Sequence, residues 1–149
     1  MTVTETVRQR ISTRAFLDDP IPKEALADLL ETAQRSPSGG NLQPWKVIAV
    51  AGAAKDEIIA MAQRVLAADP MGPVPGDRPV YPDLNAIAPV YNERRKRVGE
   101  RMYAKVGIPK EDRAGRLQWF ANNYRFFGAP VGLFLIIDRR MGHGQWAHM

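Results

Sequence analysis

Arg10, Ser12 and Arg14 are spaced two residues apart and carry side chains that bind anions and polyols. In an extended chain, alternate residues point to the same side, so these three side chains would converge if the chain is extended from Arg10 onward. Arginine forms bidentate, charge-assisted hydrogen bonds with phosphate. The spacing therefore fits a receptor for a phosphate or a polyol. Taken alone, it also fits an exposed, solvated pair of arginines, which is the simpler interpretation.

A second polar stretch, residues 36–45, reads SPSGGNLQPW. Its Gly-Gly pair permits positive φ or a close approach of the backbone to a ligand, and its two prolines stiffen both ends. Backbone N–H groups and the side chains of Ser38, Asn41 and Gln43 are possible donors. The composition fits a ligand cradle and an ordinary turn about equally well.

Amphipathic helices and two apolar strands must position these residues. Apolar periodicity, capping residues and helix breakers predict helices from Thr2 through Arg10, from Pro22 to before Ser36, from Ala54 to about Ala67, from about Asn92 to Val106, and from after Pro109 to before Gly128. The runs Trp45–Ala51 and Val131–Asp138 are almost entirely apolar and predict two buried strands. Residues 12–16 are interpreted as a short, weaker extended segment.

Taken together, the polar motifs resemble those of the FMN-dependent nitroreductase family. Residues 10–16 have the form R-x-S-x-R-x-F, and residues 36–45 have the form A-P-S-x-x-N-x-Q-P-W, with Ser36 where alanine is common. The run NYRFFGAPV at residues 123–131 is also similar to one branch of that family. The resemblance covers essentially the whole chain.

The resemblance implies an α+β fold in which a mixed sheet is flanked by helices. It also implies a homodimer with FMN bound at the subunit interface and contacted by both chains. The residues expected to hold the FMN phosphate, ribityl chain and pyrimidine edge are Arg10, Ser12 and Arg14. The residues expected to contact the flavin from the partner subunit are Pro37, Ser38, Gly39 and Asn41.

The same resemblance implies an oxidoreductase in which NAD(P)H reduces the flavin and a nitroaromatic, a quinone or a related electrophile then receives the electrons. The chemistry belongs to the cofactor, so no catalytic side chain is expected. Arg14 is our hypothesis for the cation that stabilises the negative charge of reduced flavin. Two alternatives stay open: another flavin reaction, such as reductive dehalogenation or flavin destruction, and a cofactor-free remnant that acts as a basic binding protein.

Length and composition predict a single nitroreductase-like domain over residues 1–149. Residues 69–89 contain six prolines and predict a loop or lid. Family members typically run longer, and two strong strands make a poor sheet, so we expect further strands after residue 149 and a family domain that is truncated here.

The absence of cysteine excludes disulfides, thiolate metal sites and cysteine nucleophiles. No apolar run approaches the ~20 residues of a membrane span, and the N-terminus lacks the features of a signal peptide, so a cytoplasmic protein is expected. The net charge is +5. Residues 1–75 have a balance of −1 and residues 76–149 one of +6, which favours an anionic partner for the second half.

The remaining sequence features give weaker evidence of function. The basic run at residues 93–97 could bind nucleic acid or steer NADPH, but a solvated helix face is the simpler interpretation. His143 and His148 have no nearby carboxylate or cysteine, so no metal site is expected. No G-x-G-x-x-G turn supports a Rossmann dinucleotide site. The aromatic residues between 119 and 127 are expected to pack in the core or in a dimer interface.

Overall fold

A computed structural model describes residues 2–68 and 86–146. These residues fall into two compact units: one combines the chain up to Ala60 with the chain from Tyr124, and the other is Met61–Asn123. The expectation of a single domain stays a prediction. Within the described ranges, no helix is both long enough and apolar enough to cross a membrane.

Helices and one antiparallel strand pair make up the described chain, which confirms the α+β class. The elements are α1 (Val3–Gln9), α2 (Lys23–Ala33), β1 (Trp45–Ala51), α3 (Gly52–Ala68), α4 (Pro89–Lys105), α5 (Arg113–Ala121), β2 (Val131–Ile137) and α6 (His143–Trp146). Short 3-10 turns occupy Gly39–Asn41, Asn122–Gly128 and Arg139–Met141. The two strands pair along their whole length, from Trp45 opposite Ile137 to Ala51 opposite Val131.

Two predicted helix ends are confirmed in atomic detail. At the start of α1, the Glu5 N–H donates to the Thr2 hydroxyl at 3.2 Å and the Thr2 N–H donates to the Glu5 carboxylate at 2.6 Å, which forms a capping box. At the end of α4, Gly107 adopts a φ of 73°, and the Ile108 N–H donates to the Tyr103 carbonyl at 3.0 Å. A left-handed glycine is the usual way to end a helix in this manner.

Other boundaries differ from the prediction. Pro22 lies just before α2 instead of in its first turn. Pro89 is the last residue of the predicted proline-rich loop, but in the structure it is the first residue of α4, where a missing N–H costs nothing. Residues 69–85 of that loop lie outside the described residues, as does His148. Residues 12–16 form no strand.

Side chains alternate between the two faces of each strand. Apart from Lys46, the side chains on both faces of the β1–β2 ribbon are apolar. Val47 lies opposite Leu135 on one face, and Ile48 lies opposite Phe134 on the other. The prediction that these strands are buried is wrong for the chain by itself: Ile48 is 49% exposed and Leu135 is 47% exposed. Nothing in the described chain covers either face fully. A two-stranded ribbon needs such cover to be stable in water.

The turn before β2 contains two consecutive phenylalanines in the left-handed region, Phe126 at φ 53° and Phe127 at φ 52°. This conformation costs an L-residue about 1–2 kcal/mol. Packing of the Phe126 ring offsets the cost. The ring meets Phe134 edge-on with centroids 5.8 Å apart, and it lies so close to buried Gly132 that a Cβ there would come within 2.5 Å of it.

In the unit Met61–Asn123, Arg116 connects α5 to α4. Its guanidinium forms a two-pronged ion pair with Glu100, at 2.9 and 3.0 Å, and also donates to the Pro109 carbonyl at 3.2 Å. The same group lies 4.1 Å from the centre of the Tyr103 ring. The hydrogen bond from Arg116 lowers the pKa of Glu100. Bidentate pairs of this kind fix geometry as well as charge.

We therefore predict that Glu100→Gln lowers the thermal stability at neutral pH and that the loss disappears in acid. The folded-state pKa of Glu100 is lowered below its ordinary 4.5. Its stabilising contribution is consequently present above the ordinary pKa and is lost as the pH falls through the lowered one. Tm measured from pH 7 to pH 3 for wild type, Glu100→Gln and the control Glu93→Gln checks this. A Glu100→Gln deficit that is constant with pH would contradict it.

Candidate functional site

In the segment from Arg10 to Arg14, both arginines donate hydrogen bonds to Ser12. Arg10 ends α1 in an extended conformation, with φ −60° and ψ 123°. Its Nη1 donates to the Ser12 hydroxyl at 3.5 Å, and Arg14 Nη1 donates to the Ser12 carbonyl at 3.2 Å. All three residues are exposed. Both arginines therefore contact Ser12, Arg10 at its hydroxyl and Arg14 at its backbone carbonyl. Convergence of the three side chains on one ligand stays a prediction.

This arrangement suits an anion. Each guanidinium has five N–H donors, so one contact with Ser12 leaves several edges for a ligand. Both guanidiniums carry a positive charge, and a bound anion would offset the repulsion between them. A phosphate matches the fork geometry of arginine, and the Ser12 hydroxyl is suited to a neighbouring alcohol.

Internal hydrogen bonds close the loop between α2 and β1 on itself. The Gln43 N–H donates to the Ser38 hydroxyl oxygen at 2.9 Å, and the Asn41 N–H donates to the Ser38 carbonyl at 2.8 Å. The Leu42 N–H donates to the Gly39 carbonyl at 3.3 Å. These three backbone N–H groups are thus used within the loop. The sequence suggested that backbone N–H groups of this loop could bind a ligand. Because these three are already bonded, the loop offers a ligand mainly its side-chain donors.

Three left-handed residues give the loop its shape: Gly40 at φ 63°, Asn41 at φ 54° and Gln43 at φ 47°. The Gln43 side-chain amide donates to Asn41 Oδ1 at 3.2 Å, which orients the Asn41 amide and presents its NH2 group as a donor. Strained backbone of this kind tends to occur where a ligand is held. Buried Pro44 then anchors the loop to the start of β1.

The residues predicted to bind the cofactor all lie in the same unit: Arg10, Ser12, Arg14, Pro37, Ser38, Gly39 and Asn41. Ser38 is half-buried and the other six are exposed. The structure joins Arg10 and Arg14 through Ser12, and it joins Ser38 and Asn41 through Gln43. Their roles toward FMN stay a prediction.

Two residues of this site have roles that the sequence did not indicate. Gln43 is part of the loop motif, but its function as the clip between Ser38 and Asn41 becomes visible only from the hydrogen bonds. Phe127 lies with its ring 5.9 Å from the Arg14 guanidinium. The sequence predicts only core or dimer packing for the aromatic run around it, because no spacing rule predicts a left-handed phenylalanine.

Other candidate regions are weaker. An open depression of about 270 Å³ in the unit Met61–Asn123 has one polar side chain in its wall, so it offers no converging polar groups. Its wall consists of Gln63, Leu66, Ala67, Leu117, Phe120 and Ala121. Along α4, Arg94 lies over the Tyr91 ring and Arg95 donates to the Asn92 amide oxygen. These partners within the helix support the interpretation of a solvated helix face.

Gly40→Ala should destabilise the protein by about 1–2 kcal/mol, because alanine pays the left-handed penalty that glycine avoids. A Cβ at this position would meet only Leu42, at an ordinary 3.8 Å, so the whole effect is due to the backbone. Urea denaturation of wild type, Gly40→Ala and Gly40→Asn measures it. Asparagine tolerates this region better and should lose less. Equal stability of all three proteins would mean that the loop is not held in this conformation.

Comparison with known proteins shows the same likeness over most of the chain. The model of the nitroreductase family matches residues 7–149. A nitrobenzene nitroreductase of Ectopseudomonas oleovorans is 33% identical, over 97% of this chain and 61% of its own length. A 4-nitrobenzoate reductase of Pseudomonas putida is 34% identical, over 94% of this chain and 59% of its own length. The chain thus spans about three fifths of the length of these relatives.

Solved structures agree. The FMN- and NADPH-dependent nitroreductase NfnB from a Sphigopyxis strain superimposes with a TM-score of 0.91 at 40% identity, covering 99% of this chain and 65% of that one. The FMN-dependent nitroreductase NfnB from Mycobacterium smegmatis, solved in complex with NADPH, gives a TM-score of 0.81 at 28% identity, covering 97% of this chain and 63% of that one.

Proposed function

Because the chain belongs to the nitroreductase family, we propose that the protein is an FMN-dependent NAD(P)H oxidoreductase that reduces nitroaromatic compounds, quinones or related electrophiles. The relatives named for nitrobenzene and 4-nitrobenzoate reduction support the substrate class. The neighbours named as FMN- and NADPH-dependent support the cofactors. The single observation that carries the proposal is that two guanidiniums both contact Ser12, one at its hydroxyl and one at its backbone carbonyl.

The donor set of this chain fits FMN. Arg10, Ser12 and Arg14 offer cations and a hydroxyl of the kind that binds a phosphate and a polyol chain. Ser38 and Asn41 offer a hydroxyl and an amide on a rigid loop, which suits the polar edge of a planar ring. Pro37 and Gly39 flank them as exposed, small contact residues.

When bound, FMN accepts a hydride from NAD(P)H and delivers electrons to the second substrate. The side chains of this chain bind and orient, and none has to act as a general base. Arg14 would supply the positive charge that stabilises the negative charge of reduced flavin near N1 and O2. A fixed cation at the place where charge develops is among the most effective contributions that a protein makes to catalysis.

The two halves of the proposed site lie at opposite ends of the β1–β2 ribbon. The Ser38–Gln43 loop leads into Trp45, which pairs with the last residue of β2. Arg14 instead contacts Phe127, in the turn that leads into the first residue of β2. A seven-residue strand is about 20 Å long at the usual rise per residue. This separation supports a site in which one chain supplies the arginines and a second chain supplies the loop.

We accordingly propose a homodimer with FMN at the subunit interface, located in the cytoplasm. The exposed apolar faces of the ribbon give a physical reason for association, since covering them removes apolar surface from water. Exposed apolar area of this extent is a common mark of a protein interface.

Arg14→Ala should weaken FMN binding roughly ten- to a hundredfold, the amount expected from losing charge-assisted hydrogen bonds of about 1.5–3 kcal/mol. It should also slow reduction of the bound FMN by NADPH. Flavin fluorescence titration and anaerobic stopped-flow absorbance measure the two effects. Arg64→Ala, an exposed arginine of α3, is the matched control and should change neither. An Arg14→Ala protein that binds FMN and is reduced at the wild-type rate would rule out the proposed role.

The homodimer is tested by sedimentation velocity across a range of protein concentrations. We expect a species of twice the 16.6 kDa chain mass that dissociates on dilution and is stabilised by FMN. Leu135→Glu places a charge on the exposed ribbon face and should shift the equilibrium toward monomer, whereas Lys105→Glu at the end of α4 should not. A monomer at every concentration, with or without FMN, would contradict the dimer.

A further inference from the structure

Phe126 and Phe127 are consecutive residues in the left-handed region, and their rings contact different partners. Neither residue is glycine or asparagine, so the conformation is not a local preference of the residue type. Strained residues of this sort persist only when the surrounding structure holds them. Each ring has its own partner in the same unit, and the two partners differ in kind.

Phe126 is the anchor of the pair. Its ring packs edge-on against Phe134 of β2, and it occupies the space above Gly132 that any other residue would fill with a Cβ. In addition, the Ala129 N–H donates to the Phe126 carbonyl at 3.0 Å, which closes the turn. These contacts hold the backbone of Phe126 against the ribbon. They therefore also determine where the backbone of Phe127 begins.

Phe127 extends from this anchor to Arg14. The centre of its half-buried ring lies 5.9 Å from the guanidinium carbon. Arg14 also donates to the Ser12 carbonyl at 3.2 Å. An exposed arginine in a segment without regular structure would otherwise sample many rotamers. Two contacts of different direction, one to a ring face and one to a carbonyl, restrict that freedom.

We propose that Phe127 is a positioning residue for cofactor binding: its ring, presented by the left-handed turn, holds the Arg14 guanidinium in the orientation that receives FMN. This inference rests on the proposed function. It adds a residue that acts on the cofactor through Arg14.

The chemistry of the contact suits this task. A cation–π interaction uses the face of the aromatic ring and leaves N–H edges of the guanidinium for a bidentate acceptor. A side chain that is already ordered loses less freedom when the ligand arrives, so the same hydrogen bonds give a higher affinity. At an exposed site, such a contact changes an equilibrium by roughly two- to fivefold.

Three variants test the proposal by flavin fluorescence titration: Phe127→Leu, Phe127→Trp and the control Phe120→Leu. Leucine and tryptophan face the same left-handed backbone penalty as phenylalanine, so a difference between them reports on the ring. We expect Phe127→Leu to bind FMN about two- to fivefold more weakly, and Phe127→Trp to bind at least as well as wild type. Phe120, an exposed residue of α5 in the other unit, should tolerate leucine without loss.

A double-mutant cycle separates positioning from a general structural effect. In an Arg14→Ala background, Phe127→Leu should cause no further loss of FMN affinity, because its effect passes through Arg14. An equal loss in both backgrounds would overturn the positioning role. So would wild-type affinity in Phe127→Leu while Arg14→Ala binds weakly.

A second measurement needs neither FMN nor a folded leucine variant. In the NMR spectrum of the wild-type protein, the side-chain protons of Arg14 should be shifted by the ring current of Phe127. Ordinary random-coil positions for those protons would overturn the proposal. If wild type shows the ring-current shift but does not bind FMN, the proposed function fails and the role in cofactor binding fails with it. If wild type binds FMN and the cycle shows no coupling, only the inference fails.

Discussion

The antiparallel register of β1 and β2 is the constraint on which the rest of the site depends. It places the loop that precedes β1 at one end of the ribbon and the turn that precedes β2 at the other. Lys55, near the start of α3, donates to the Ala129 carbonyl at 2.8 Å and so ties the second end to the helix that follows β1. A slip of one residue would exchange the two faces of a strand and would move Gly132 away from the Phe126 ring.

Strain is concentrated at both ends of this ribbon. The loop holds Asn41 and Gln43 in the left-handed region, and the turn holds Phe126 and Phe127 there. Each set is held by specific contacts, the first by hydrogen bonds within the loop and the second by aromatic packing. Preorganisation of this kind fits the proposed function, in which the protein binds and orients a cofactor that carries the chemistry.

Local signals predicted the local structure well. The sequence places the start of the first helix at Thr2 and the first strand at Trp45–Ala51, and both are correct because they depend on residues close in sequence. Burial of the strands was predicted wrongly, since it depends on what covers the ribbon and not on the strands themselves. The contact of Arg14 with Phe127 could not be predicted either, because it joins distant segments through a left-handed turn that phenylalanine does not encode.

The proposed flavin site is assembled from the arginines of one chain and the loop of another. A crystal structure of the chain with FMN is the decisive experiment. We expect Arg10 and Arg14 of one protomer to bind the same FMN molecule that Ser38 and Asn41 of its partner contact. An FMN molecule held by both motifs of a single protomer, or bound away from both, would rule out a site shared between two chains.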